Sequence, residues 1–173
     1  MKIELGGGGR PRGDGFLNVD LVPGADIKHD LDVRPYPFDD DTITEVYSSH
    51  CLEHLDDPHS VLVELCRICV PGALVEIRVP HPSSDLAMVW THKHVFSPVC
   101  AINMDEHFPD DFWPKTNPKR MKLLRLGYGP TFLLAEARRE LPFLAGLSDE
   151  TVMKYVPRTC HEVMFYYQVQ SHG

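Results

Sequence analysis

No run of this sequence approaches the roughly 20 consecutive apolar residues of a membrane-spanning helix, so no membrane association of that kind is expected. The opening residues, MKIELGGGG, carry no extended apolar segment of the signal-peptide type, and the expectation is a cytoplasmic protein. Cysteine is sparse. Five in 173 residues is an odd number and does not suggest a disulfide framework. Cys66 and Cys69 form a C-x-x-C, but within VLVELCRICVPG, an apolar helical pattern without a second pair nearby, which reads as two buried thiols. Positive charge is in short supply too: 17 Lys and Arg face 25 Asp and Glu, a net −8 that argues against nucleic-acid binding by general phosphate attraction. The local exception is KTNPKRMKLLR, Lys115 to Arg125, read as a solvated loop and helix face. Internal repeats, low-complexity tails and interdomain linkers are missing as well. The expectation is a single domain over residues 1–173, and 43% hydrophobic with 24% charged residues is ordinary for a globular one.

What is present is an alternation of short strands and connections. Lys2 to Leu5 alternates and stops at glycine. Gly15 to Leu21 (GFLNVDL) reads as a second strand ending in an acid, Ile27 to Leu31 as a short third, and Ile43 to Ser48 as a fourth. From Asp56 to Val70, apolar residues recur at Val61, Leu62, Leu65, Ile68 and Cys69 with the helical period, with Asp56, Asp57 and Pro58 as start signals. Leu74 to Val79 reads as a fifth strand and His161 to Gln170 as a final one. Strands alternating with connections predict a parallel α/β sheet. The stretch from about 81 to 130, crowded with His, Pro, Asp and aromatics, reads as an irregular insertion on the substrate side.

The four consecutive glycines Gly6 to Gly9 cost chain entropy and call for a close contact or an unusual backbone angle. A strand, a glycine-rich turn and a second strand ending in Asp20 make a nucleoside-binding arrangement, in which the carboxylate accepts hydrogen bonds from both ribose hydroxyls. A dinucleotide is disfavoured. Asp20 follows too soon for an intervening helix, and a pyrophosphate uses the N-terminus of that helix.

The succession KIELGGGG, GFLNVDL, HDL, YPFDDDTITEVYSSHCLEHL and LVELCRICVPGALVEIRVP resembles the class I S-adenosylmethionine-dependent methyltransferases, in particular small members whose first crossover is a loop. The resemblance spans Met1 to Pro80. It implies a Rossmann-like, seven-stranded, mostly parallel sheet with an antiparallel last strand, one further strand falling between about Arg125 and Arg139, and a first crossover helix reduced or missing. It also implies S-adenosyl-L-methionine as cofactor. Glu4, Gly6 and Gly8 match the motif that cradles its methionine and ribose parts. Asp20 matches the ribose-binding acid with Leu21 beside the adenine, Asp30 and Leu31 match the adenine edge, and Ser49 and His50 match the strand end beneath the sulfonium. The sequence departs from the family pattern at Arg10, where a third glycine is common, and at Val70 to Ala73, VPGA in place of KPGG.

Methyl transfer from a sulfonium is an in-line displacement, accelerated by alignment and desolvation. A hydroxyl or protonated amine acceptor additionally needs a base, a task suited to histidine. By position His50 is the candidate, and His94 is the second. Glu53 and His54, just after His50, read as a hydrogen-bond network at a helix start. His81, His92 and His94 follow the fifth strand, where α/β sheets bind ligands, and are expected to line an acceptor pocket walled by Trp90 and Phe96. His92-x-His94, with Asp105, Glu106 and His107, also has metal-like spacing, but no metal is expected. The reading is methyl transfer to O or N of a small-molecule acceptor. Its alternatives are a cofactor- or partner-binding module without turnover and a metal-dependent hydrolase on the histidine loop.

Overall fold

The computed structural model describes residues 1–9, 11–103, 119–131, 133–156 and 158–171. Arg10, Asp105 to His107 and Lys115 lie outside them, so their sequence readings have no structural counterpart below. Seven strands form one sheet: β1 (Lys2–Leu5), β2 (Phe16–Asp20), β3 (Ile27–Lys28), β4 (Ile43–Ser49), β5 (Cys69–Pro80), β6 (Lys119–Pro130) and β7 (Cys160–Ser171). Their spatial order is β3-β2-β1-β4-β5-β7-β6. β1 pairs in parallel with β2 and β4, β2 with β3, and β4 with β5. β7 runs antiparallel to both β5 and β6, the expected sense for the last strand. Chain order reverses between β1 and β4, so the switch point that α/β sheets use for ligands lies where Leu5 and Ser49 end.

Helix α1 (Pro58–Ile68) begins as its sequence dictates. The Asp57 side chain accepts a hydrogen bond from the Ser60 amide at 3.1 Å, and proline occupies the first turn. It buries Val61, Leu62, Leu65 and Ile68 in the core. Three shorter helices follow, α2 (Pro98–Asn103), α3 (Leu133–Glu140) and α4 (Asp149–Tyr155). The alternating residues Val75, Ile77 and Val79 of β5, and Val163, Phe165, Tyr167 and Val169 of β7, join α1, α2 and α4 in one hydrophobic cluster. The other face carries Tyr47, Glu76, Tyr166 and the exposed Leu74. There they line an open cavity of about 370 Å³ with Arg12 and Arg125. The guanidinium of Arg12 lies 4.2 Å from the Tyr47 ring centre, and that of Arg125 lies 4.3 Å from the Tyr166 ring centre. The missing first crossover helix explains this second face: β1 passes to β2 through a loop, and no described helix follows β1 to cover it.

Two basic residues read as a solvated face turn out otherwise. Lys119 and Arg120 belong to β6 and are buried. Lys119 Nζ donates to the Arg67 and Cys69 carbonyls at 2.9 and 2.8 Å and to Asp41 Oδ1 at 2.6 Å, tying the edge strand to the end of α1. Cys66 and Cys69 are free and buried as expected, and burial pushes both thiols up to about 12. No helix among the described residues is long and apolar enough to cross a membrane.

Candidate functional site

The glycine run divides into two halves with different reasons. Gly6 sits at φ +67°, its amide donating to the Val19 carbonyl at 3.0 Å, and a Cβ there would lie 2.4 Å from Cys51 Sγ. Gly7 donates to Asn18 Oδ1 at 3.0 Å, and a Cβ on it would strike Asn18 and Glu4 at 2.7 and 2.8 Å. The close neighbours of these two glycines are therefore the protein's own side chains. Gly8 is different: φ is +59°, and no protein atom lies within 4 Å of a built Cβ. Its amide donates to Asp20 Oδ2 at 2.8 Å, while Asp20 Oδ1 accepts the Val22 amide at 3.1 Å. The Asp20 carboxylate is thus fixed by two backbone N–H groups, with lone pairs left over for a ligand.

Beside this clip, at the switch point, is a cavity of about 320 Å³ lined by Gly6, Asp20, Leu21, Asp30, Leu31 and His50. All six are residues that the sequence assigned to the cofactor. Asp32, His29, Cys51, His54 and Leu55 complete the wall. Three carboxylates at one cavity make it hospitable to a positively charged ligand. Glu4, Gly8 and Ser49 are not part of the lining. Glu4 is buried and its Oε2 accepts the Arg12 amide at 2.6 Å, which shapes the glycine loop, and Ser49 ends β4 one residue before His50.

His50 adopts φ +52°, a left-handed conformation uncommon for a side-chain-bearing residue. Its Nδ1 lies 3.3 Å from Glu53 Oε1 and its Nε2 3.5 Å from Glu162 Oε2. The Glu162 carboxylate and then that of Glu53 raise its pKa to about 9, against the opposing effect of burial. At neutral pH the two carboxylates favour the imidazolium form. A proton held on both nitrogens works against the role of base, which needs one nitrogen free. In chelator-treated protein the His50 Cε1 proton should titrate near pH 9 by NMR, and a midpoint at or below about 6.5, the unperturbed value, would show that the carboxylates do not hold the proton. The raised pKa stabilises the fold fully below about pH 6.5, and the contribution fades as pH rises through 9.

The second histidine segment comes to the site differently from expectation. His94 is not in the cavity wall; its Nε2–H donates to the Asp56 carbonyl at 3.2 Å. Trp90 is fully exposed and Phe96 is buried in the core, so neither walls this cavity. His81 is buried against Tyr128, with Nδ1 2.8 Å from Ser83 Oγ, and burial lowers its pKa. It is His92 that arrives, with Nε2 4.0 Å from Glu53 Oε1. Glu53 is not a helix-start cap: it is fully buried, and its carboxylate oxygens lack hydrogen-bond partners. Glu53, His54 and His92 offer ligand atoms within 4.8 Å of one another. The sequence reading missed Glu162, whose signal is topological. An antiparallel β7 brings its amino end, where Glu162 faces Pro80, to the carboxyl edge of the parallel strands.

Comparison with known proteins agrees with this geometry. The fold is similar to that of a methyltransferase dependent on S-adenosylmethionine from Archaeoglobus fulgidus (TM-score 0.60, 14% identity, 96% of this chain and 85% of that one). A second such enzyme, from Mesorhizobium loti, superposes with TM-score 0.56 at 15% identity over 96% of this chain and 89% of the other. Haemonchus contortus phosphoethanolamine N-methyltransferase 2 in complex with S-adenosyl-L-methionine gives 0.52 at 17% identity over 99% of this chain and 48% of that one. At these identities the likeness speaks for the fold. No curated protein matches the sequence. The family model described as a methyltransferase domain matches residues 12–108, more than half of the chain and most of the cavity wall. With sheet order, glycine loop and acidic clip in agreement, this chain belongs to the methyltransferase domain family.

Proposed function

We propose that the protein transfers a methyl group from S-adenosylmethionine to an oxygen or nitrogen of a small-molecule acceptor. The observation that carries this reading is the Gly8–Asp20 clip at the edge of a cavity on the switch point. The residues fit the cofactor: an open approach in front of Gly8, a carboxylate held for a diol, and three carboxylates in the wall for a cation. When bound, the cofactor supplies an electrophilic methyl group on a sulfonium. The chain's own residues bind and orient the reactants, and the acceptor's proton passes to solvent. Asp20 accepts hydrogen bonds from the ribose hydroxyls, oriented by the Gly8 and Val22 amides. Leu21 and Leu31 offer apolar surface to the adenine, and Asp30 an acceptor at its edge. The Glu4 carboxylate keeps the glycine loop in shape, and Ser49 delivers His50 to the acceptor side. There His50 contributes positive charge, its two ring nitrogens directed at Glu53 and Glu162. His94 positions the segment by holding the Asp56 carbonyl.

The acidic balance of the chain supports a small acceptor over a long nucleic acid. Five free cysteines suit a reducing compartment such as the cytoplasm. Calorimetric titration with S-adenosylmethionine, mass spectrometry of the purified protein for the co-purifying cofactor or its demethylated product, and a labelled-methyl screen of hydroxyl and amine compounds test the proposal. Saturable binding and label transfer are expected; no binding at millimolar cofactor would overturn it.

A further inference from the structure

We propose that Glu53, His54 and His92 form a binding site for one divalent transition-metal ion, such as Zn2+ or Mn2+, at the wall of the cavity. The starting point is Glu53. A fully buried carboxylate is costly unless paired or coordinated, and here the nearest charge, on His50, leaves both oxygens without a hydrogen bond. What surrounds it is imidazole: His50 Nδ1 at 3.3 Å, His92 Nε2 at 4.0 Å, and His54 with a ligand atom within 4.8 Å of both others.

His54 is prepared as a ligand. His54 Nδ1 lies 3.1 Å from the Thr91 carbonyl, which can only accept, so Nδ1 carries the proton and Nε2 the lone pair. This backbone-held tautomer is the arrangement that metal-bound histidines use. His92 has its Nδ1 buried without a hydrogen-bond partner, and the two rings meet edge to face at 4.6 Å between centres. The backbone fastens the two segments without help from an ion. The Glu53 carbonyl accepts the Lys93 and His94 amides at 2.7 and 3.2 Å, and Lys93 Nζ reaches Asp56 at 2.6 Å. Around a zinc ion bound at about 2.0–2.2 Å, ligand atoms sit about 3.3 Å apart.

Two imidazoles and one carboxylate favour a first-row transition ion over Mg2+ or Ca2+, which prefer all-oxygen shells. Three protein ligands leave coordination positions open. His54 belongs both to the triad and to the cavity wall, so an acceptor hydroxyl can complete the shell and acidify there. That last role rests on the methyltransferase reading, whereas occupancy of the site does not.

The test uses the full chain without a polyhistidine tag, stripped with chelator and titrated with Zn2+ and with Co2+, the latter followed by its visible absorption bands. One ion per chain is expected, with affinity reduced about 100-fold or more in Glu53→Gln, His54→Ala and His92→Ala. Circular dichroism confirms folding, and should Glu53→Gln not fold, the two histidine variants decide. Absence of stoichiometric binding, or unchanged affinity in the folded variants, would overturn the site. S-adenosylmethionine titration of the stripped wild type runs alongside. Its failure would count against the cofactor reading and leave the metal result standing.

Discussion

Asp20→Ala weakens S-adenosylmethionine binding by about 1–3 kcal/mol, the cost of leaving polar groups unpaired in a binding site, or roughly 5- to 150-fold in Kd at 1.4 kcal/mol per decade. Two effects combine. The ribose hydroxyls lose their acceptor, and the Gly8 and Val22 amides lose the carboxylate that orients the loop. Asp20→Asn separates them. It retains one oxygen acceptor but presents an NH2 group on the other side, so either a loop amide or a ribose hydroxyl meets a donor, and an intermediate loss is expected. Because Asp20 is only half-buried, the fold loses little. A thermal-shift measurement without cofactor should move far less than the calorimetric Kd. Wild-type affinity in Asp20→Ala would remove the ribose assignment and, with it, the main reason for placing a nucleoside in this cavity.

The strands that build the cavity were readable because each is a short apolar alternation closed by a turn residue. β1 stops at Gly6, β2 at Asp20, and α1 starts at the Asp57–Pro58 signal. β6 was not. Expected between about Arg125 and Arg139, it occupies Lys119–Pro130, the last part of the stretch read as an irregular insertion, and α3 takes Leu133–Glu140. Its alternation is broken by a register shift between Leu123 and Arg125, and its first residues are cations. Nothing local says that Lys119 will be buried, because its partners are carbonyls of Arg67 and Cys69, some 50 residues away in sequence. β5 starts at Cys69, earlier than expected, with Pro71 and Gly72 inside it; a proline–glycine pair that reads as a stop is carried as the strand's exposed beginning.

The site was legible to the same depth. Residues at strand ends could be assigned because the chain order of an α/β sheet dictates where they emerge. Which histidine of the loop would arrive could not be read, since His92 and His94 differ only in the direction each points. His92 is directed at Glu53, and His94 at the Asp56 carbonyl. The charge state of His50 was likewise hidden. It depends on Glu162, 112 positions away, brought across by the antiparallel strand beside β5.

Gly6→Ala and Gly8→Ala should fail in opposite ways, which makes the glycine run the sharpest test of what the loop is for. A Cβ on Gly6 would lie 2.4 Å from Cys51 Sγ and 2.8 Å from Cys51 Cβ, so something must shift. Left-handed backbone costs an alanine about 1–2 kcal/mol, and overpacking adds about 1–3 kcal/mol. A stability loss of about 2–5 kcal/mol is expected by denaturant unfolding. The strain also reaches the cavity, because Cys51 adjoins His50 and both line it. Cys51→Gly in the Gly6→Ala background should recover the overpacking part and leave the backbone part, a coupling that a double-mutant cycle reads directly. Gly8→Ala meets no protein atom within 4 Å, so its stability cost is the backbone term alone, about 1–2 kcal/mol. Its methyl group meets open space next to Asp20, where the ribose is proposed to lie, and affinity for S-adenosylmethionine should fall more steeply than stability. Equal behaviour of the two variants, or a Gly8→Ala protein with undiminished cofactor affinity, would mean that the second half of the run is bare for the turn's sake and that no ligand rests upon it.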